Sequence, residues 1–169
     1  MSTIAKVLTL VGAIESVLFL AGLSWGVMLW LRGIAPALIR LGDGLARRKI
    51  ALFAKGDNAA SLTHLLTDSR LFRTSNIIQI SKAEDLGRAE RASVFLVFWH
   101  DWADHIHEIL GKKPDACPLV VYSPYDLGKI PTEQMKELDG LRHTAVTNFR
   151  GRLLNDIVAS MITTSYDKH

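Results

Sequence analysis

"SVFLVFWHDWADHIH", residues 93–107, runs apolar from Val94 to Trp99 and then becomes polar at once. A strand with one face in water alternates apolar and polar side chains. Val94 to Trp99 does not alternate, so both faces are expected to be covered, as they are in a parallel sheet clad by helices. Trp102, Ile106, Ile109 and Leu110 follow at intervals of about three or four residues, the mark of a helix burying one side.

The same pattern recurs on either side. "KIALFA" (49–54), "NIIQI" (76–80), "PLVVYS" (118–123) and "HTAVTN" (143–148) read as four more strands around "SVFLVFW" (93–99). Helical spacing appears in Leu62, Leu65 and Leu66; in Met135, Leu138 and Leu141; and in Leu153, Leu154, Ile157, Val158, Met161 and Ile162. Asp57 or Asn58 can cap the first of these helices, and Pro131-Thr132-Glu133 suits a first turn. "KAEDLGRAER" is the weakest helical segment, being polar and interrupted by Gly87. Five alternations of strand and helix predict an α/β domain over 49–169, a three-layer sandwich with a five-stranded parallel sheet in the flavodoxin-like order 2-1-3-4-5.

Ahead of this domain, Val7 to Leu31 is apolar but for one charge, Glu15. At about 1.5 Å per residue it reaches roughly 37 Å, enough to cross a bilayer with tilt, so residues 1–32 are expected to form a transmembrane helix. A secretory signal would have a shorter apolar region and a small-residue cleavage site. Arg32, Arg40, Arg47, Arg48, Lys49 and Lys55 follow the segment against Asp43 alone, while Lys6 precedes it. The excess of positive charge predicts an inner-membrane, single-pass protein with its N-terminus outside and its C-terminal domain in the cytoplasm. Trp25 and Trp30 suit the interfacial belt. Residues 33–48 form a linker: Ile34, Leu38, Leu41 and Leu45 fall at helical spacing against Arg40, Arg47 and Arg48, so an amphipathic helix on the anionic leaflet is one reading. Gly42 and Gly44 make a flexible elbow the other.

Gly12, Glu15, Ser16, Phe19, Gly22 and Gly26 share one side of the span, and Gly22 to Gly26 is a small-xxx-small pair that lets helices approach closely. A carboxylate facing lipid costs several kcal/mol, so Glu15 is expected to meet a helix of another copy or another protein, to face a water-filled interior, or to stay protonated. The alternative is a monomeric anchor in which Glu15 reaches the outer interface.

Formal net charge is +3, too small to suggest a field for DNA or RNA, and none is expected as a partner. The single cysteine, Cys117, has no internal disulfide partner, fits a reducing cytosol, and reads as a buried structural thiol at a strand start.

In a doubly wound sheet ligands bind beyond the carboxyl ends of the strands. There this chain places Gly56, Asp57, Asn58 and Ser61; Trp99, His100, Asp101 and Trp102; Ser123, Tyr125 and Asp126; and Asn148, Arg150 and Arg152. Gly56 at a helix N-terminus and the two arginines suit phosphate, and the three aromatic residues can stack a base, which together describe a nucleotide-sized site. There is no G-x-x-x-x-G-K-[ST] and no G-x-G-x-x-G after the first strand, which disfavours P-loop hydrolysis and ordinary dinucleotide binding. "HDWADHIH" puts His100 and Asp104, and Asp101 and His105, one turn apart. Such groups in a first helical turn read as solvated or capping, and no metal or other cofactor is expected.

The layout resembles the receiver, TIR and CARF groups of parallel α/β domains. Asp101 and Ser123 sit about where a receiver carries its phosphoacceptor and switch hydroxyl, but the acidic pair after the first strand is reduced to Asp57 and Arg150 stands where the receiver lysine would be. The TIR likeness lies in the helix bearing Trp102 and Glu108 and implies a glutamate for NAD cleavage, although the W-C-x-x-E spacing is absent. The CARF likeness is architectural and implies a nucleotide second messenger bound by the loops after the first and fourth strands, joined here to a membrane helix as in membrane effectors of prokaryotic antiviral defence.

The leading expectation is a non-enzymatic membrane effector that forms a homo-oligomer, senses a nucleotide-like signal or a cytosolic partner, and alters or permeabilises the membrane as an ion channel would. The alternatives are a tethered nucleotide-processing enzyme using Glu108 or Asp101 as acid or base, and a scaffold that docks a cytosolic protein.

Overall fold

Residues 3–165 are described in the computed structural model, with side chains described at 10–36, 42 and 48–164. Lys6 and the side chains of Leu38, Arg40, Leu41, Leu45 and Arg47, which carry the expected amphipathic face of the linker, lie outside that set. The chain divides into two units, Met1–Gly42 and Asp43–His169.

The first unit consists of helix α1, Thr3–Arg47, up to Gly42; the last turn of the helix belongs to the second unit. The segment expected as a separate helix or an elbow is therefore a continuation of the same helix, with Pro36 inside it. Leu10–Pro36, 27 residues, is long and apolar enough to span a membrane. Its large side chains, Phe19 and Trp25 among them, are exposed. Ser16 and Ser24 turn their hydroxyls back to the carbonyls of Gly12 and Leu20, each at 2.8 Å, which satisfies those donors within the helix.

The second unit is a five-stranded parallel sheet in the order β2-β1-β3-β4-β5. The strands are β1 (Ile50–Phe53), β2 (Ile77–Ile80), β3 (Val94–Phe98), β4 (Leu119–Tyr122) and β5 (Thr144–Thr147). The expected three-layer architecture and strand order are those observed, with each boundary within a residue or two. β1, β3 and β4 are buried at every position, as their uninterrupted apolar sequences require.

Alternate residues of those strands serve two cores. Ile50, Leu52, Val94, Leu96, Phe98, Val120 and Tyr122 meet Ala59, Leu62 and Leu66 of α2 (Gly56–Asp68) and Leu153, Ile157 and Met161 of α6 (Arg150–Ser165). Ala51, Phe53, Phe95, Val97, Leu119 and Val121 meet the other layer. That layer contains a 3₁₀ segment, Ala83–Arg91, then α3 (Trp99–Trp102), α4 (Ile106–Lys112) and α5 (Thr132–Asp139). The polar stretch around Gly87 is thus 3₁₀ rather than α, anchored by buried Leu86 and Ala89 with Ala83 packed partly buried beside them. Each fully buried Leu, Ile, Val or Phe contributes about 1.5–3 kcal/mol, so these two cores supply the main stabilisation. Cys117 is buried beside the second core, as expected of a structural thiol.

The chain enters the α/β unit at the amino-end pole of the sheet, and Arg48 is fastened there. Its carbonyl accepts a bond from Asn76 Nδ2 at 2.9 Å, and its guanidinium donates to the carbonyl of Met161 near the end of α6. Burial pulls the Arg48 guanidinium below its ordinary value, while the nearby Cys117 acts in the opposite direction. Asn76 is itself buried, and its Oδ1 accepts the Arg73 amide at 3.3 Å.

Asn76→Ala leaves two part-buried backbone groups, the Arg48 carbonyl and the Arg73 amide, short of a partner, an effect worth about 1–2 kcal/mol. A fall of that size in unfolding free energy of the α/β unit, read from urea midpoints, is expected.

Candidate functional site

Because all five strands are parallel, their carboxyl ends form one pole, opposite the point where the chain enters the unit. Two clusters assemble there.

The first lies at the switch point between β1 and β3. Asp101 accepts the Lys55 amide at 2.7 Å through Oδ2, and Asn58 Nδ2 reaches both carboxylate oxygens, at 3.1 and 3.2 Å. The chain between β1 and α2 turns at Gly56, whose φ of 49° is costly for a residue with a Cβ. Asp57 lies in the first turn of α2, where a carboxylate suits the helix dipole. Neither Asp57 nor Asn58 is the N-cap. Lys55 holds that position without a side-chain cap bond, and the Asn58 amide goes to Asp101. The carboxylate thus fastens the β1 loop to the β3 loop, a structural task for a group first read as a ligand or acid–base candidate.

Two of the three aromatic residues expected to stack a base are buried in the protein. β3 ends at Phe98, and Trp99 and Trp102 are buried in the core. Trp102 packs its edge against Phe53, with ring centroids 5.6 Å apart, and lies beneath Lys55 Nζ at 5.2 Å. The aromatic period of an amphipathic helix won over base stacking, since burying so large a ring is strongly favourable. Tyr125 is the exception: it is 69% exposed.

The helix after β3 also breaks where an unbroken one was expected. A 3₁₀ turn, Ala103–His105, separates α3 from α4, so the side chains of "HDWADHIH" diverge. His100 Nε2 lies 3.3 Å from Ser123 Oγ, His105 pairs with Glu108 at 3.1 Å, and His107 pairs with Glu137 at 3.2 Å. No group of three metal-ligating side chains forms among the described residues. Glu108 is exposed and paired with His105.

The second cluster surrounds a cavity of 330 Å³ at the ends of β4 and β5. Ile130, Met135 and Val146 supply its apolar wall. Ser123, Asn148 and Lys129 supply polar groups, with Tyr125 beside them. Gly128, φ 104°, turns the loop back so that its carbonyl lies 3.4 Å from Ser123 Oγ. Ser123, Tyr125 and Asn148 were among the sequence candidates. Lys129, Ile130, Met135 and Val146 were not: Lys129 and Ile130 are loop residues without a period, and the apolar periods of α5 and β5 mark Met135 and Val146 as packing residues without showing that they border a cavity. The composition of "SPYDLGKI", an aromatic, a glycine and a cation in one long loop, was the clue available.

The arginines expected to hold phosphate are engaged nearby. Arg150 Nη2 donates to the Ser61 carbonyl at 2.9 Å, tying the start of α6 to α2, and Arg152 approaches Asp156 at 3.9 Å. Burial raises the Tyr122 hydroxyl above its ordinary value of 10.0, with Arg150 pulling it down and Asp126 pushing it up.

No protein-family model and no curated protein matches the sequence. Among solved structures, the chain is similar to the constitutive lysine decarboxylase of E. coli, with a TM-score of 0.45 and 14% identity over 71% of this chain. The match covers 17% of the decarboxylase chain, and no functional conclusion follows from it.

Asp101→Ala removes the acceptor of the Lys55 amide and of the Asn58 carboxamide, two donors whose bonds contribute about 0.5–1.5 kcal/mol each. A loss of about 1–3 kcal/mol in urea unfolding is expected. For Tyr122, folding raises the hydroxyl's pKa and so favours the neutral form. Its contribution is present below about pH 10 and declines as pH rises through the unfolded value. As pH rises above about 10, toward the higher folded value, the urea midpoint of Tyr122→Phe should fall less than that of the wild type.

Proposed function

We propose that the chain is a single-pass membrane effector whose cytoplasmic α/β unit senses a small nucleotide-like signal and changes how the membrane helices of neighbouring copies pack. The observation that carries this reading is the combination in one chain of Leu10–Pro36, apolar and exposed along its length, with a ligand-sized cavity at the carboxyl pole of the α/β unit. Positive residues after the span orient that unit toward the cytoplasm.

In this account α1 crosses the inner membrane and associates through Gly12, Glu15, Ser16, Phe19, Gly22 and Gly26. An added Cβ at Gly12, Gly22 or Gly26 meets nothing within 4 Å in the single chain, so that stripe is open to a partner helix. Glu15 lies on the same side and gains a polar neighbour when copies assemble. Within the α/β unit, α6 offers a route between the poles: Arg150 at its start is tied to Ser61, and Met161 near its end receives Arg48, one residue beyond α1. A signal drives the change only if it binds the active arrangement more tightly, by about 1.4 kcal/mol for each tenfold shift. The combination is of the kind used in antiviral defence, where a soluble signal is turned into membrane permeability.

Support for a tethered enzyme is weaker. Asp101 is held by Lys55 and Asn58, Glu108 by His105, and neither lines the cavity. A scaffold that docks a cytosolic protein draws support from Tyr125, Leu127 and Phe149, which are exposed on adjacent loops.

The test uses the full chain in its membrane. Crosslinking should capture oligomers of the wild type, and Gly22→Leu or Glu15→Gln should reduce both the oligomer and signal-dependent dye uptake by cells. Recovery of a cleaved, soluble protein lacking residues 1–32 would establish a signal sequence and overturn the effector reading. Intact dye uptake in both variants would do the same.

A further inference from the structure

We infer that the β4–β5 cavity is a mononucleotide site, with the base inside and the phosphate at its mouth; this identification of the ligand class rests on the sensing role proposed above. Three features of the cavity lead to it.

The first is shape and lining. Ile130, Met135 and Val146 present an apolar wall, suited to the face of a heterocycle. Tyr125, 69% exposed beside the same cavity, provides a ring on which the base or its ribose can stack.

The second is the placement of polar groups. Asn148 stands at the end of β5, where its carboxamide can bond the polar edge of a base, beside Ser123, whose hydroxyl is shared with His100 and the Gly128 carbonyl. The Asn148 side chain makes no hydrogen bond with the described residues, and the Lys129 ammonium makes neither hydrogen bond nor ion pair with them. Lys129 therefore supplies an uncommitted cation within reach of a phosphate, whereas Arg150 and Arg152 are already engaged. An uncharged heterocycle would leave that ammonium unused, and inorganic phosphate would leave the apolar wall unused.

The third is size. At 330 Å³ the cavity lies at the low end of the roughly 300–1,000 Å³ range of small-molecule sites, which accommodates one base and its sugar rather than two. A dinucleotide would have to extend outside it.

The test is calorimetric titration of the full chain in lipid nanodiscs with adenosine 5′-monophosphate, uridine 5′-monophosphate, adenosine and inorganic phosphate. At least one mononucleotide should bind at a 1:1 ratio, and phosphate alone should not. Lys129→Ala, an exposed change that leaves the fold intact, should weaken the mononucleotide about fivefold while leaving the adenosine affinity unchanged. Met135→Trp fills the cavity and should abolish both, with circular dichroism checking that the variant folds. Equal weakening of nucleotide and nucleoside by Lys129→Ala would overturn the phosphate placement. Undiminished binding by folded Met135→Trp would overturn the site. If no mononucleotide binds yet Met135→Trp still abolishes signal-dependent dye uptake, the ligand class is overturned and the sensing role stands. If the binding pattern is as stated but dye uptake ignores both variants, the site stands and the effector role falls.

Discussion

Burial of both faces of β1, β3 and β4 is the constraint on which the rest of the α/β unit depends. Strands without a polar face cannot lie at a surface, so helices must cover each side of the sheet. Covering both sides while joining parallel strands requires crossovers that leave every strand's carboxyl end at the same pole. The functional groups of four separate loops are gathered there as a consequence of burying Ile50, Phe53, Phe95, Leu96 and Val121.

At that pole the loops divide their tasks. The β1 and β3 loops spend their polar groups on each other, through Asp101, Lys55 and Asn58, and so fasten the switch point. The β4 and β5 loops instead leave an opening bordered by Ser123, Lys129 and Asn148. His100, 3.3 Å from Ser123, connects the two regions, so the fastened side helps orient the open one. A pair of loops fastened to each other beside an open cavity is an arrangement suited to binding.

The opposite pole has its own fastening, made by Arg48. Its carbonyl is held by Asn76, just ahead of β2, and its guanidinium by the Met161 carbonyl, so residue 48 is fastened both to the approach to β2 and to α6. α6 carries Arg150 at its other end, so one helix touches both the loop pole and the entrance of the chain.

By itself the sequence determined the apolar helix near the N-terminus, the five strands, the parallel order and the buried state of Cys117. Each follows from hydrophobic period and length, which are properties of neighbouring residues. Only the tertiary structure decided what the loop residues do. Trp99 and Trp102 have the chemistry to stack a base and were placed in the core by helix packing, and Asp101 has the chemistry of an acid or ligand and was taken by Lys55 and Asn58. The 3₁₀ turn after Trp102 sends the histidines of one short segment to three different partners. A polar side chain's role is set by which distant group lies within about 3 Å of it, and that distance is a property of the folded chain rather than of the local pattern.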